Sequence, residues 1–229
     1  MSDDPTLEAF RLADSFLPIG TNSISYGLEQ FVQEGRIEGD ADLRALLETY
    51  LRNQIGTADL VALRAAHAAA RDGEIPGVCD ADRRLEAVTL PAEFRDSATH
   101  SGARLLSLQR DLRSDPVLAD YADRIDAGAA PGFHPVVLGA VAATTDVSEE
   151  AACLACCHGF VTGLLGAAQR LLSIGHTATQ RALEDLHPVI HEAVADSAER
   201  TLDDMTSFTP LVDVLSADHE RADRRLFLS

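Results

Sequence analysis

The chain contains no lysine and no tryptophan. Without lysine, a Gly-x-x-x-x-Gly-Lys phosphate loop cannot be written, so nucleotide hydrolysis of that type is excluded. His-Glu-x-x-His and Gly-x-Ser-x-Gly are missing as well, which removes the usual signatures of a zinc protease and of a nucleophile elbow. Aromatic residues make up only 5% of the chain. With alanine and leucine abundant, that balance favours closely packed helices over a β-sandwich. No stretch of strand-like alternation persists, and neither an internal repeat nor a low-complexity linker is visible. The longest apolar run, Gly159 to Ala168, ends at Gln169-Arg170 and is too short to span a bilayer. Met1-Ser2-Asp3-Asp4-Pro5 has neither the basic region nor the apolar core of a signal peptide. Together with only four cysteines, this predicts a cytoplasmic protein with free thiols.

What is present is acid. The formal net charge is −18, and all 19 basic residues are arginine. Such a surface repels nucleic acid and anionic membranes, so neither is expected as a partner. A GC-rich genome would replace lysine by arginine without requiring excess acid. Adaptation to high intracellular salt accounts for both features, because molar salt shrinks the Debye length to about 3 Å.

Helical periodicity dominates the 229 residues and predicts an all-α, single-domain bundle of roughly eight to ten helices. Thr6–Phe16 reads as a short helix stopped before Pro18, and Ser25–Glu34 as a second, ended by Gly35. Asp40 is the expected cap of a third carrying Leu43, Leu46, Leu47, Tyr50 and Leu51, with Gly56 as a kink or break. Asp72-Gly73 and Pro76-Gly77 mark a loop. Pro91 opens a long helix to Leu112, and a loop spans Asp126 to His134. Pro135–Thr145 is a helix of small residues. Asp146-Val147-Ser148-Glu149 and Thr177-Ala178-Thr179-Gln180 have capping-box spacing and open two more helices, the second interrupted or kinked at Pro188. Residues 207–229 read as a loosely structured tail with an apolar-basic end suited to ordering on a partner.

One cluster has metal-binding chemistry: Cys153, Cys156, Cys157 and His158. The three cysteines share a helix face, and thiolates and imidazoles suit zinc or nickel. No second Cys-x-x-Cys completes a structural zinc site, and free cysteine commonly serves as a small buried hydrophobe. Burial is therefore the reading we favour, with a metal site as the alternative. His187 and His191, one turn apart, read as a solvated face.

Several segments in order carry a resemblance. Leu12-Ala13-Asp14-Ser15-Phe16-Leu17-Pro18-Ile19-Gly20 leads into Ser25-Tyr26-Gly27-Leu28-Glu29. Glu93-Phe94-Arg95 is followed by Gly102-Ala103-Arg104-Leu105-Leu106, and then by His134-Pro135-Val136-Val137-Leu138-Gly139. Ala167-Ala168-Gln169-Arg170-Leu171-Leu172 precedes Gly175-His176-Thr177-Ala178-Thr179-Gln180. His219-Glu220 to Arg225-Leu226-Phe227-Leu228-Ser229 closes the chain. This order resembles the UreF family of urease accessory proteins. It departs from the family at Asn22, Ile24, His176 and Leu228. The resemblance implies an all-helical, homodimeric, non-enzymatic scaffold. Its implied partners are UreD (also called UreH), the GTPase UreG and apo-urease, and nickel passes through the assembly without a cofactor held tightly by this chain. By the same resemblance, Ser25, Tyr26, Gly27, Glu29, Arg170, Gln180, His219, Arg225, Leu226, Phe227 and Ser229 are candidate partner contacts. The competing readings are a direct metal carrier using the cysteine cluster and a helical interaction module unrelated to nickel.

Overall fold

At the centre lies a helix that is apolar on every side. In α8 (His134–Thr144) every residue from Pro135 to Ala142 is buried, and a helix without a polar face needs neighbours all round. This computed structural model describes residues 4–20, 25–172 and 174–219, and no strand occurs among them. The all-α expectation holds.

Glycine sets how closely the neighbours approach α8. Helix α4 (Leu60–Arg71) packs along it where a Cβ on Gly139 would stand 2.3 Å from the Leu63 carbonyl oxygen. Helix α6 (Ala92–Leu112) meets the turn before α8 where a Cβ on Gly102 would stand 2.0 Å from the Gly132 carbonyl. No other residue allows those approaches. Helix α9 (Glu149–Leu171) forms a further wall through Cys153, Cys157, Val161, Leu164 and Ala168, all buried. It is long and apolar enough by length and composition to cross a membrane, although the contiguous apolar run within it is not. Here that apolarity faces the core.

Two helices flank this centre at the N-terminus. Helix α1 (Pro5–Ala13) is capped by Asp4, whose side chain accepts from the Thr6 N–H at 2.8 Å. The buried Glu8 ties α1 to the end of α6 by accepting from Arg113 at 3.0 and 3.1 Å and from Arg11. Helix α2 (Leu28–Gln33) starts later than its sequence suggests, because Tyr26 (φ +48°) and Gly27 (φ +76°) are left-handed.

Helix α3 (Asp40–Tyr50) continues into α4 without a break at Gly56. Residues Leu51–Asp59 instead widen into π-helical turns, where each N–H reaches back five residues. Gly56 serves packing here, since its missing Cβ would lie 3.1 Å from Ala193 Cβ. Residues 205–209 strap the widened stretch: Phe208 N–H donates to the Asn53 carbonyl (2.9 Å) and Thr206 N–H to the Thr57 carbonyl (3.1 Å). Helix α10 (His176–Ala198) packs on the same stretch.

Several local expectations change. The cap of α3 is Gly39, not Asp40. Pro76 lies in the first turn of α5 (Ile75–Val88), where its missing N–H has no partner to lose, so the expected loop shrinks to residues 72–74. Helix α7 (Pro116–Asp126), capped by Asp115, fills a stretch for which no helix was expected. Ser148, rather than Asp146, caps α9 by accepting from the Ala151 N–H. Helix α10 begins at His176 after Gly175 with no side-chain cap, so the box at Thr177 does not form. It runs through Pro188 without interruption. Pro210–His219 forms helix α11, which packs on α2 with Val212 and Leu215 buried. The first half of the supposed loose tail is therefore ordered, and residues 220–229 lie outside the described residues.

Candidate functional site

Four aromatic rings from four segments meet beside the Pro18–Gly20 turn. Tyr26 packs edge-on against Phe160 (5.0 Å between centroids), Phe94 (5.3 Å) and Tyr50 (6.5 Å), and Tyr50 against Phe160 (5.4 Å). Edge-to-face pairs of this kind contribute about 0.5–1.5 kcal/mol each beyond their burial. The Tyr50 hydroxyl donates to the Tyr26 carbonyl, which holds Tyr26 in its left-handed conformation.

Next to the rings is a cavity of about 110 Å³ enclosed by the α1 end, the π-helical stretch, α6, α8 and α9. Asp59, His134, Ser101 and Cys156 bring polar atoms to it. Burial pushes the Asp59 carboxyl up to about 7, opposed only by a bond from its own backbone N–H. Burial pushes His134 down to about 4, so the ring is neutral at physiological pH. Ser101 Oγ is buried without a hydrogen-bond partner. His134 is held in place from outside the cavity. The fully buried Asp82 of α5 accepts from Tyr121 Oη (2.6 Å), Gly132 N–H (2.7 Å) and Phe133 N–H (2.9 Å), and so fixes the turn that starts α8. His134 and Cys156 lie in segments singled out in the sequence, the UreF-like run His134–Gly139 and the cysteine cluster, but no motif marked Asp59 or Ser101. The available signal was an acid, Asp59, inside the apolar run from Ala58 to Leu63.

The cysteines are buried, in line with the reading favoured from sequence. Burial pushes the Cys153 thiol up to about 12 and holds Cys156 and Cys157 well above their ordinary range. Protonated thiols are poor ligands. Among the described residues, no three His, Cys, Asp or Glu side chains converge closely enough to hold a metal ion. His158 is half-buried. Its affinity for a proton is lowered by burial and then by His187 of α10, so its near neighbour lies across the helix pair.

A family model described as UreF matches residues 37–187. The urease accessory protein UreF of Trichodesmium erythraeum (strain IMS101) is 35% identical over 221 residues, covering 96% of this chain and 95% of that protein. Urease accessory protein UreF 1 of Brucella melitensis is 33% identical over 223 residues (97% and 92%). UreF of Bacillus sp. (strain TB-90) is 30% identical over 223 residues (97% and 98%). The chain belongs to the UreF family.

The UreF-like positions singled out in the sequence fall into separate places. Ser25, Gly27 and Glu29 are buried at the start of α2, and Glu29 accepts from Gln33 Nε2 at 3.1 Å. Tyr26 is half-buried in the aromatic cluster. Arg170 is exposed near the end of α9, where its Nε donates to the Gly166 carbonyl, and Gln180 is exposed on α10. His219 ends α11, while its side chain and Arg225, Leu226, Phe227 and Ser229 lie outside the described residues. The structure thus joins the first group to the cavity wall through Tyr26 and leaves Arg170 and Gln180 on the surface.

Proposed function

We propose that this UreF-family chain is a non-enzymatic scaffold in urease maturation. In this reading it forms a homodimer in the cytoplasm, binds UreD/UreH, and presents a composite surface to the nickel-carrying GTPase UreG, so that the assembly delivers nickel to apo-urease. The observation that carries the reading is similarity along nearly the whole chain to proteins named urease accessory protein UreF. The surface agrees with a bridging role. Phe208, Leu211 and Val214 are exposed on and beside α11, the element that leads into the apolar-basic chain end. An apolar helix face continuing into such an end suits docking to a partner. Direct metal carriage by Cys153, Cys156, Cys157 and His158 is disfavoured, because those thiols would have to give up protons inside the core.

The test is co-expression with the candidate UreD partner and co-purification at molar salt, with and without Asp218 to Ser229. Loss of the complex on truncation, with helicity retained, supports docking through the chain end. A complex that survives truncation moves the contact elsewhere. Failure of the full-length chain to bind UreD defeats the scaffold reading.

A further inference from the structure

The cavity beside the aromatic cluster carries a negative group that no cation balances among the described residues. Asp59 makes no ion pair among the described residues. Among the described residues no arginine lines the cavity, so the groups there would repel an anion. A bare metal ion is equally unsuited, since among the described residues no three ligating side chains converge and the adjacent Cys156 thiol keeps its proton.

We propose that this cavity binds a small organic cation, a protonated primary amine, with Asp59 as its counter-ion. An ammonium group has three N–H donors to place. Three acceptors line the cavity from three elements: the Asp59 carboxylate, bonded only by its own backbone N–H, the neutral His134 ring, and Ser101 Oγ, which has no partner and sits on a residue only 2% exposed. The carbon end of the amine rests against the apolar rings of Tyr26, Phe94 and Phe160. A volume of about 110 Å³ holds several water molecules or an amine of a few heavy atoms. Asp14 and Ser15, both exposed, stand at the mouth, and the chain's net charge of −18 draws cations towards it. This assignment is independent of the scaffold reading, and its test needs no partner protein.

The experiment is calorimetric titration of the full-length protein with methylammonium and ethylammonium chloride at pH 8, with sodium acetate as the anionic control. The expected result is saturable binding of one amine per chain and none of acetate. Affinity falls at least tenfold in Asp59→Asn, which keeps the shape and removes the charge, and by a smaller factor in Ser101→Ala. Affinity also rises between pH 6 and pH 8 as Asp59 ionises. The titratable groups facing Asp59 are Tyr26, Cys156, Cys157 and, across the cavity, His134, none of them cationic in that range. Absence of saturable amine binding to the wild-type chain overturns the proposal. So does binding that is unchanged in a helical Asp59→Asn variant, or a cavity that takes nickel(II) in an Asp59-dependent manner but not the amines.

Discussion

Replacing Asp82 by alanine tests the link between a buried carboxylate and the turn that starts α8. The change strands three donors: the hydroxyl of the fully buried Tyr121 and the backbone N–H groups of Gly132 and Phe133. Each buried donor left alone costs about 1–3 kcal/mol, so the gross loss is about 3–6 kcal/mol once some water entry is allowed. Against this stands the burial of charge, which pushes Asp82 from 3.8 up to about 6. The folded state therefore holds the proton more tightly than the unfolded chain. Its contribution is most favourable at low pH and is lost as pH rises from 4 to 6. Removing the carboxylate relieves about 3 kcal/mol above pH 6. The variant should lose about 0–3 kcal/mol at pH 8 and about 2 kcal/mol more at pH 4.5. Urea unfolding of both proteins at the two pH values measures this directly. A loss of the same size at both pH values would refute the charge argument, and a loss below about 1 kcal/mol at pH 4.5 would refute the hydrogen-bond argument.

Gly139→Ala should destabilise the chain by about 2–4 kcal/mol, because its methyl meets the Leu63 carbonyl and the backbones must part; an unchanged melting temperature would contradict this. Arg64 of α4 donates to Ser197 Oγ (2.9 Å) and the Val194 carbonyl (2.8 Å) and pairs with Glu149. Arg64→Ala is expected to cost about 2–4 kcal/mol in chemical denaturation. Burial raises Glu8, but Arg11 and Arg113 outweigh it and hold the carboxyl below its usual range. Its contribution is therefore present above pH 4.5 and lost on further acidification, and α1 amides should lose hydrogen-exchange protection first as pH falls below 4. If the net charge of −18 reflects salt adaptation, the melting temperature rises from low to molar KCl; a flat dependence would remove that explanation.

The helical class was legible because its signal is local and repeated. Leu43, Leu46, Leu47 and Tyr50 mark a buried face by spacing alone, and all four are buried. The errors arose where a distant contact decides. Gly56 looked like a breaker, but its lack of a side chain answers to the Leu51 carbonyl of the widened turn and to Ala193, far along the chain. Thr177 had the spacing of a cap, yet the helix already starts at His176. Tyr26 as a left-handed residue depends on the hydroxyl of Tyr50. The candidate site was the least legible part, since Asp59, Ser101 and His134 share no motif and meet only through the packing of the π-helical stretch, α6 and α8.

The widened turns between α3 and α4 have a consequence for how this chain tolerates change in length. A π-helical turn rotates less per residue than an α-helical one, so Leu51–Asp59 acts as a phase adjuster between two otherwise continuous helices. Taking out one residue would swing everything beyond it by about 100°. Gly139 would then no longer face Leu63, and Asp59 would leave the cavity. Insertions and deletions that a surface loop absorbs are thus forbidden in a segment whose sequence looks ordinary. Counting residues between Tyr50 and Leu60 becomes a sharper criterion of a shared core than identity at any position inside that interval.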